Sequence, residues 1–186
     1  MEGFKLKADR TVWTIGFDFE HQAISEGYTS IAGVDEVGRG CLAGPVVAAA
    51  CILHPDRPVP KGLNDSKKLT EKARDEIAAE LRETALCYAV AEVDAAEIDR
   101  VNILRASIKA MCLAINKLRP CADYLLVDAV QLREIPLPQK ALIKGDSISY
   151  SIAAASVLAK TYRDEMMKRL DTDFPAYGFA QHVGYG

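Results

Sequence analysis

Two stretches of this chain are apolar at nearly every position and are only as long as a strand. They are "PVVAAACIL" (Pro45–Leu53) and "DYLLVD" (Asp123–Asp128). A strand with one wet face alternates polar and apolar residues, whereas a strand without alternation is covered on both sides. The chain must therefore place a sheet between two other layers. Further strand-like runs are Ser30–Glu36, Cys87–Val93 and Lys140–Lys144, and the first apolar run defines a strand over Val46–Leu53. The spacing predicts three helices to cover them. The first spans Thr70–Thr84, with Thr70 as N-cap and Glu71 in the first turn. The second starts at Asp94, where "DAAE" resembles a capping box with Glu97 three residues on. Its residues Val101, Leu104, Ile108, Met111, Ile115 and Leu118 form one continuous stripe. The third runs from Ser149 to Leu170, ahead of Pro175, and its small residues in "SIAAASVLA" allow close packing on the sheet. Strands interleaved with helices after an opening run of strands give an α/β class with a mixed sheet.

With 186 residues, no internal repeat and no low-complexity linker, the expectation is one domain over 1–186. The longest apolar run, Gly44–Leu53, is too short to cross a bilayer. The charged residues Glu2, Lys5, Lys7, Asp9 and Arg10 leave no room for a signal-peptide core, so a cytoplasmic location is expected. Five cysteines form no CxxC pair and three histidines are scattered, which points to reduced thiols rather than zinc or disulfides. The net charge of −3 is unevenly spread. Residues 61–74 and residues 140–169 each carry +3, while residues 75–100 carry −6. One basic and one acidic face are permitted by this pattern, as are ordinary solvated helix surfaces.

The stretch "GVDEVGRG" (Gly33–Gly40) raises the chemical question. Asp35 and Glu36 close the first strand, Asp128 closes the "DYLLVD" strand, and Asp146 follows the short strand "KALIKG". In open α/β sheets, ligands gather at the carboxyl ends of strands. Converging carboxylates repel, and one takes up a proton unless a cation intervenes. Oxygen ligands without Cys or His suit Mg²⁺ or Mn²⁺. Four carboxylates can hold two such ions and so stabilise the attacking and leaving oxygens of a phosphodiester. Each acid alone is equally read as a cap or a turn residue. Neighbours in a strand also point to opposite faces, so Asp35 and Glu36 share one site only if the strand bends or ends there. Gly38 and Gly40 are the expected source of that bend. Gly38-Arg39-Gly40 lacks the GxGxxG spacing of a dinucleotide fold. It offers unobstructed backbone groups beside a guanidinium, which suits close approach to a sugar-phosphate backbone and reading of a 2′-hydroxyl. A tight turn with an exposed arginine is the alternative.

Taken together, "GVDEVGRGCLAGPVVAAACIL", "LNDSKKL", "LLVDAV", "IKGDSISYSIAAASVLAKTYRDE" and "HVGYG" resemble the ribonuclease HII family from about Ile31 to Gly186. The resemblance implies an RNase H-like fold, a central mixed five-stranded sheet flanked by helices. It implies an endonuclease that cleaves the RNA strand of RNA–DNA hybrids and nicks 5′ of ribonucleotides embedded in duplex DNA. The chemistry implied is two-metal-ion hydrolysis with Mg²⁺ or Mn²⁺, giving 3′-hydroxyl and 5′-phosphate ends. The metal-binding acids fall on Asp35, Glu36, Asp128 and Asp146, and the 2′-hydroxyl sensor on Gly38, Arg39 and Gly40. Phosphate contacts fall on Ser66 and Lys67, with Ser156 and Lys160 on the third helix. The tyrosine that packs against the sugar falls on Tyr185. The partner is a hybrid or ribonucleotide-containing duplex, met by a monomer with no membrane. Family members continue beyond "GYG" with a basic tail, so an absent tail and a weakly anchored Tyr185 are expected here. Asp164 is expected to pair with a neighbouring cation rather than bind metal. The competing reading is a non-catalytic nucleic-acid-binding module on the same fold. Four carboxylates argue against it, because a passive phosphate binder gains by losing them.

Overall fold

A computed structural model describes residues 14–54 and 57–186; the charged N-terminal residues Glu2 to Arg10 lie outside the described residues. The elements in chain order are α1 (Asp18–Ser25), β1 (Ile31–Val37), β2 (Val46–Ile52), α2 (Glu71–Thr84), β3 (Cys87–Val93), α3 (Ala95–Val101), α4 (Ile103–Lys117), β4 (Tyr124–Asp128), β5 (Gln139–Leu142), α5 (Tyr150–Asp173) and α6 (Phe179–His182). The five strands form one sheet in the order β3-β2-β1-β4-β5. β1 and β2 pair antiparallel, as do β2 and β3, whereas β4 runs parallel to both β1 and β5. The mixed sheet read from the sequence is present.

All seven residues of β2 are buried, as its unbroken apolar run requires. Alternate residues of the sheet feed two separate cores. Ala32 and Val34 of β1 pack with Met111 and Ala114 of α4 on one face. Val47, Ala49 and Cys51 of β2 pack with Ile77 and Leu81 of α2 and Ala153–Leu158 of α5 on the other. The close approach of α5 is set by Gly33, where a Cβ would collide with the Ser151 backbone. Burying the 39 hydrophobic residues that the sheet and its helices cover among the described residues is the main favourable contribution to folding.

Local signals account for the helix starts. Thr70 accepts the Ala73 N–H at 3.3 Å, Asp94 accepts the Glu97 N–H at 2.8 Å, and Ser149 accepts the Ile152 N–H at 3.2 Å. Two expectations change. The single helix expected from Asp94 is two, broken at Asn102, which takes a left-handed φ of 74° and caps α4 by accepting the Arg105 N–H. Met111, Ile115 and Leu118 of the expected stripe are buried and Val101 and Ile108 pack against the core, joined by the fully buried Ala106, Ala110 and Ala114, while Leu104 is left 44% exposed. The small residues let the helix close on the sheet. The capping box at Asp94 is also half-formed. Glu97's carboxylate binds Arg100 and Lys109. All five cysteines are free thiols, and no helix among the described residues is long and apolar enough to cross a membrane.

Candidate active site

The site lies where β1 and β4 run side by side toward their carboxyl ends. Val34 pairs with Val127, so Asp35 and Asp128 occupy the next position of the same parallel ladder. β5 brings in the fourth acid through the turn Gly145–Ser147, which follows a left-handed Lys144 at φ 57°. Asp128 Oδ1 accepts the Gly145 N–H at 2.7 Å, fastening that turn to the end of β4.

Asp35 is buried, on the sheet face covered by α5. Burial pushes its carboxyl well above the usual range, and the charges of Glu36 and Asp128 add to the push. The Ser156 hydroxyl and the Glu36 N–H, the latter at 2.8 Å, hydrogen-bond to it and act the other way. The Ser66 hydroxyl lies 3.0 Å from that of Ser156. Either hydroxyl can be the donor of that bond, and the pair sits beside the acid. Glu36 is raised by burial first and then by Asp128, while Arg39 and Lys67 lower it. Burial also raises Asp128. Asp146 is pushed up to about 6 by burial, then by Asp65 and Asp128.

Lys67 is the cation that faces this group. Its Nζ lies 3.9 Å from Asp146 Oδ2. Burial works to lower it, but Asp146, Asp35, Asp65 and Asp128 together outweigh burial and raise it. The structure thus brings Asp35, Glu36, Asp128, Asp146 and Lys67 into one electrostatic neighbourhood. The bend expected from Gly38 and Gly40 plays no part. β1 stays paired with β2 through Val37, so both acids precede the left-handed Gly38, whose φ is 102°. The two acids leave opposite faces of β1, and both feel Asp128 because it stands beside the strand end.

Among the described residues, no three Asp, Glu, His or Cys side chains close on a single point as metal ligands do. The donor chemistry nevertheless fits a hard divalent cation. Four carboxylates, all raised first by burial and each also by a neighbouring acid, are met by Lys67 and, at Glu36, by Arg39, with no zinc-type ligand among them.

The Gly38-Arg39-Gly40 loop adjoins Glu36 and is exposed at Arg39 and Gly40. Tyr185 reaches the same region. Its ring centroid lies 5.5 Å from the Lys160 ammonium, and its hydroxyl is raised by burial and by a hydrogen bond with Cys41. The segment bearing it is anchored, because the N–H groups of Leu42 and Ala43 donate to Gly184 O at 2.8 and 3.3 Å. Lys160 is held at 2.8 Å by Asp164, which also binds Arg74 at 3.0 Å, so Asp164 pairs with cations as expected.

Sequence reasoning missed three residues. Asp65 sits beside Asp146 and caps the 3-10 turn Ser66–Lys68 by accepting the Lys67 N–H. Arg74 donates to the Ser66 carbonyl at 3.4 Å. Arg163 is fully buried. Only Arg163 had a readable signal, a cation in register with Ala159 and Met167 on a buried helix face.

The architecture, with acids at the ends of its central strands, is that of the RNase H-like class. The ribonuclease H2 from Pyrococcus horikoshii OT3 superposes with a TM-score of 0.70 at 26% identity, covering 85% of this chain and 81% of that one. Bst-RNase HIII in complex with Mn²⁺ superposes with a TM-score of 0.63 at 27% identity, over 81% of this chain and 57% of that one. In sequence, the family model for ribonuclease HII matches residues 32–186. The ribonuclease HII of Ruminiclostridium cellulolyticum is 54% identical over 168 residues, 90% of this chain and 66% of the relative. The chain belongs to the ribonuclease HII family, and it spans about two thirds of the length of the curated relatives it matches.

Proposed function

We propose that this chain is a cytoplasmic, monomeric, divalent-metal-dependent endoribonuclease. Its substrates are RNA–DNA hybrids and duplex DNA carrying ribonucleotides, cut on the 5′ side of the ribonucleotide to leave a 3′-hydroxyl and a 5′-phosphate. The observation that supports this reading best is the electrostatic convergence of Asp35, Glu36, Asp128 and Asp146, with the Gly38-Arg39-Gly40 loop beside Glu36.

In this reading Asp35, Glu36, Asp128 and Asp146 hold two Mg²⁺ or Mn²⁺ ions. When bound, the ions activate water and stabilise the leaving 3′-oxygen. Ser156, backed by Ser66, orients Asp35 toward the site. Lys67, with its side chain 78% exposed, meets substrate phosphate from the solvent side. The backbone of Gly38 and Gly40 reads the 2′-hydroxyl, and Arg39 adds a cation for the neighbouring phosphate. Tyr185 packs against the sugar beside the junction, with Lys160 beneath its ring. The test is a DNA duplex with one embedded ribonucleotide, incubated with Mg²⁺ or Mn²⁺. The expected product is a single nick 5′ of the ribonucleotide; an intact duplex in both metals overturns the proposal.

A further inference from the structure

Arg163 is fully buried and, among the described residues, forms no ion pair. Its guanidinium spends its donors on three backbone carbonyls. Nε donates to Pro45 O at 2.9 Å, Nη2 to Ala43 O at 2.9 Å and Nη1 to Val183 O at 2.7 Å. A buried cation without a carboxylate is costly, and an apolar side chain of similar volume would fill the same space more cheaply. What an apolar side chain lacks is a planar fork that can address three carbonyls at fixed angles.

Those carbonyls belong to two different parts of the chain. Ala43 and Pro45 lie in the loop that leaves Gly38-Arg39-Gly40, and Val183 lies two residues before Tyr185. The backbone is shaped to the guanidinium on both sides. At Gly38 a Cβ would stand 2.7 Å from Arg163 Nε and 2.7 Å from Pro45 O. At Gly184, whose φ is 87°, a Cβ would meet Ala43 O and stand 3.2 Å from Arg163 Nη2. The Leu42 and Ala43 bonds to Gly184 O join the two segments directly, so loop, arginine and terminal segment form one body.

We infer that Arg163 is a positioning residue for ribonucleotide recognition. It sets the spacing between the Gly38-Arg39-Gly40 loop and Tyr185, so that a single junction sugar is met from both sides, although Arg163 itself touches no substrate. This rests on the function proposed above. Because its bonds go to the carbonyls of Ala43, Pro45 and Val183 and to none of the four carboxylates, its loss weakens KM and site choice more than kcat.

The test compares wild type, Arg163→Met, Arg163→Lys and Gly184→Ala on a duplex with one ribonucleotide, with hydrogen exchange followed at residues 38–45 and 183–185. Arg163→Met is expected to raise KM roughly tenfold while kcat changes by less than about threefold, as loss of hydrogen bonds from a charged donor implies. The Lys variant is expected to resemble Met, because a point charge cannot replace the fork. Both loops should lose exchange protection together. If Arg163→Met does not fold, Gly184→Ala opens the same joint from its outer side and should show the same KM rise. Unchanged KM and site choice in a folded Arg163→Met, full rescue by lysine, or loss of protection in only one loop each overturns the inference. Absence of nicking by wild type would instead overturn the proposed function, while the joint loss of protection would still be read independently.

Discussion

The acidic centre and the arginine joint lie on neighbouring parts of the same sheet end, yet they handle buried charge in opposite ways. At the centre, four carboxylates crowd together and burial raises all of them, with Lys67 as the facing cation. At the joint, one buried guanidinium has no carboxylate and is met by three carbonyls at 2.7–2.9 Å. The first arrangement leaves an excess of negative charge that a proton or a bound cation relieves. The second is satisfied within the chain. A region that must bind is left electrostatically incomplete; a region that must keep its shape is closed with hydrogen bonds.

If that contrast holds, substitutions at the centre reduce activity without loss of stability, and substitutions at the joint reduce stability. The largest effect is expected for Asp128→Asn. Cleavage of the single-ribonucleotide duplex should fall on the order of a thousandfold, since a metal-stabilised transition state is worth several kcal/mol. Its melting temperature in metal-free buffer should not drop, because one repelling charge is gone; retained cleavage would remove Asp128 from the site. Next comes Gly38→Ala, which forces a Cβ into Arg163 and Pro45 at φ 102°. Thermal unfolding should show a loss of about 2 kcal/mol; an unchanged melting curve would mean the joint is loose.

For Arg39→Ala the expected change is smaller. Preference for the ribonucleotide junction over other positions should weaken roughly tenfold, as for loss of one charged contact. The melting temperature should stay put because the side chain is exposed. Unaltered site choice on sequencing gels would assign selectivity elsewhere. The smallest effect concerns pH. Asp146 titrates at about 6 in the fold, against 3.8 ordinarily, so the folded state holds its proton longer than the unfolded state does. Without divalent cations, stability should therefore decline as pH rises from about 4 to 6 and then level off. Melting curves across that range should show a shift of a few degrees that is smaller in Asp146→Asn, where only the raised Asp35, Glu36 and Asp128 remain. An equal slope in both proteins would place the titration on another group.

Much of this was legible in the residues. β3 and β4 lie where their apolar runs begin and end, and Thr70, Asp94 and Ser149 cap the helices they precede. These signals are local, depending on side-chain alternation or on a hydroxyl or carboxylate three residues from an N–H. Asn102 escaped because apolar spacing does not register one left-handed residue, and the break there left Leu104 exposed while Met111, Ile115 and Leu118 kept their place in the core. The bend assigned to Gly38 and Gly40 was misplaced for a related reason. Spacing along one strand says nothing of the strand beside it, and it is Asp128 on β4 that both acids face.

By its sequence alone, then, this chain determined a sheet buried on both faces, the helix starts, and the presence of acids at three strand ends, because periodicity and capping act within a few residues. Tertiary structure decided which acids share a field, that Ser66 and Ser156 pair beside Asp35, and that Arg163 joins residues 43, 45 and 183. Those relations link segments up to 121 residues apart, and they follow from the parallel register of β1 with β4 and from how closely α5 approaches the sheet.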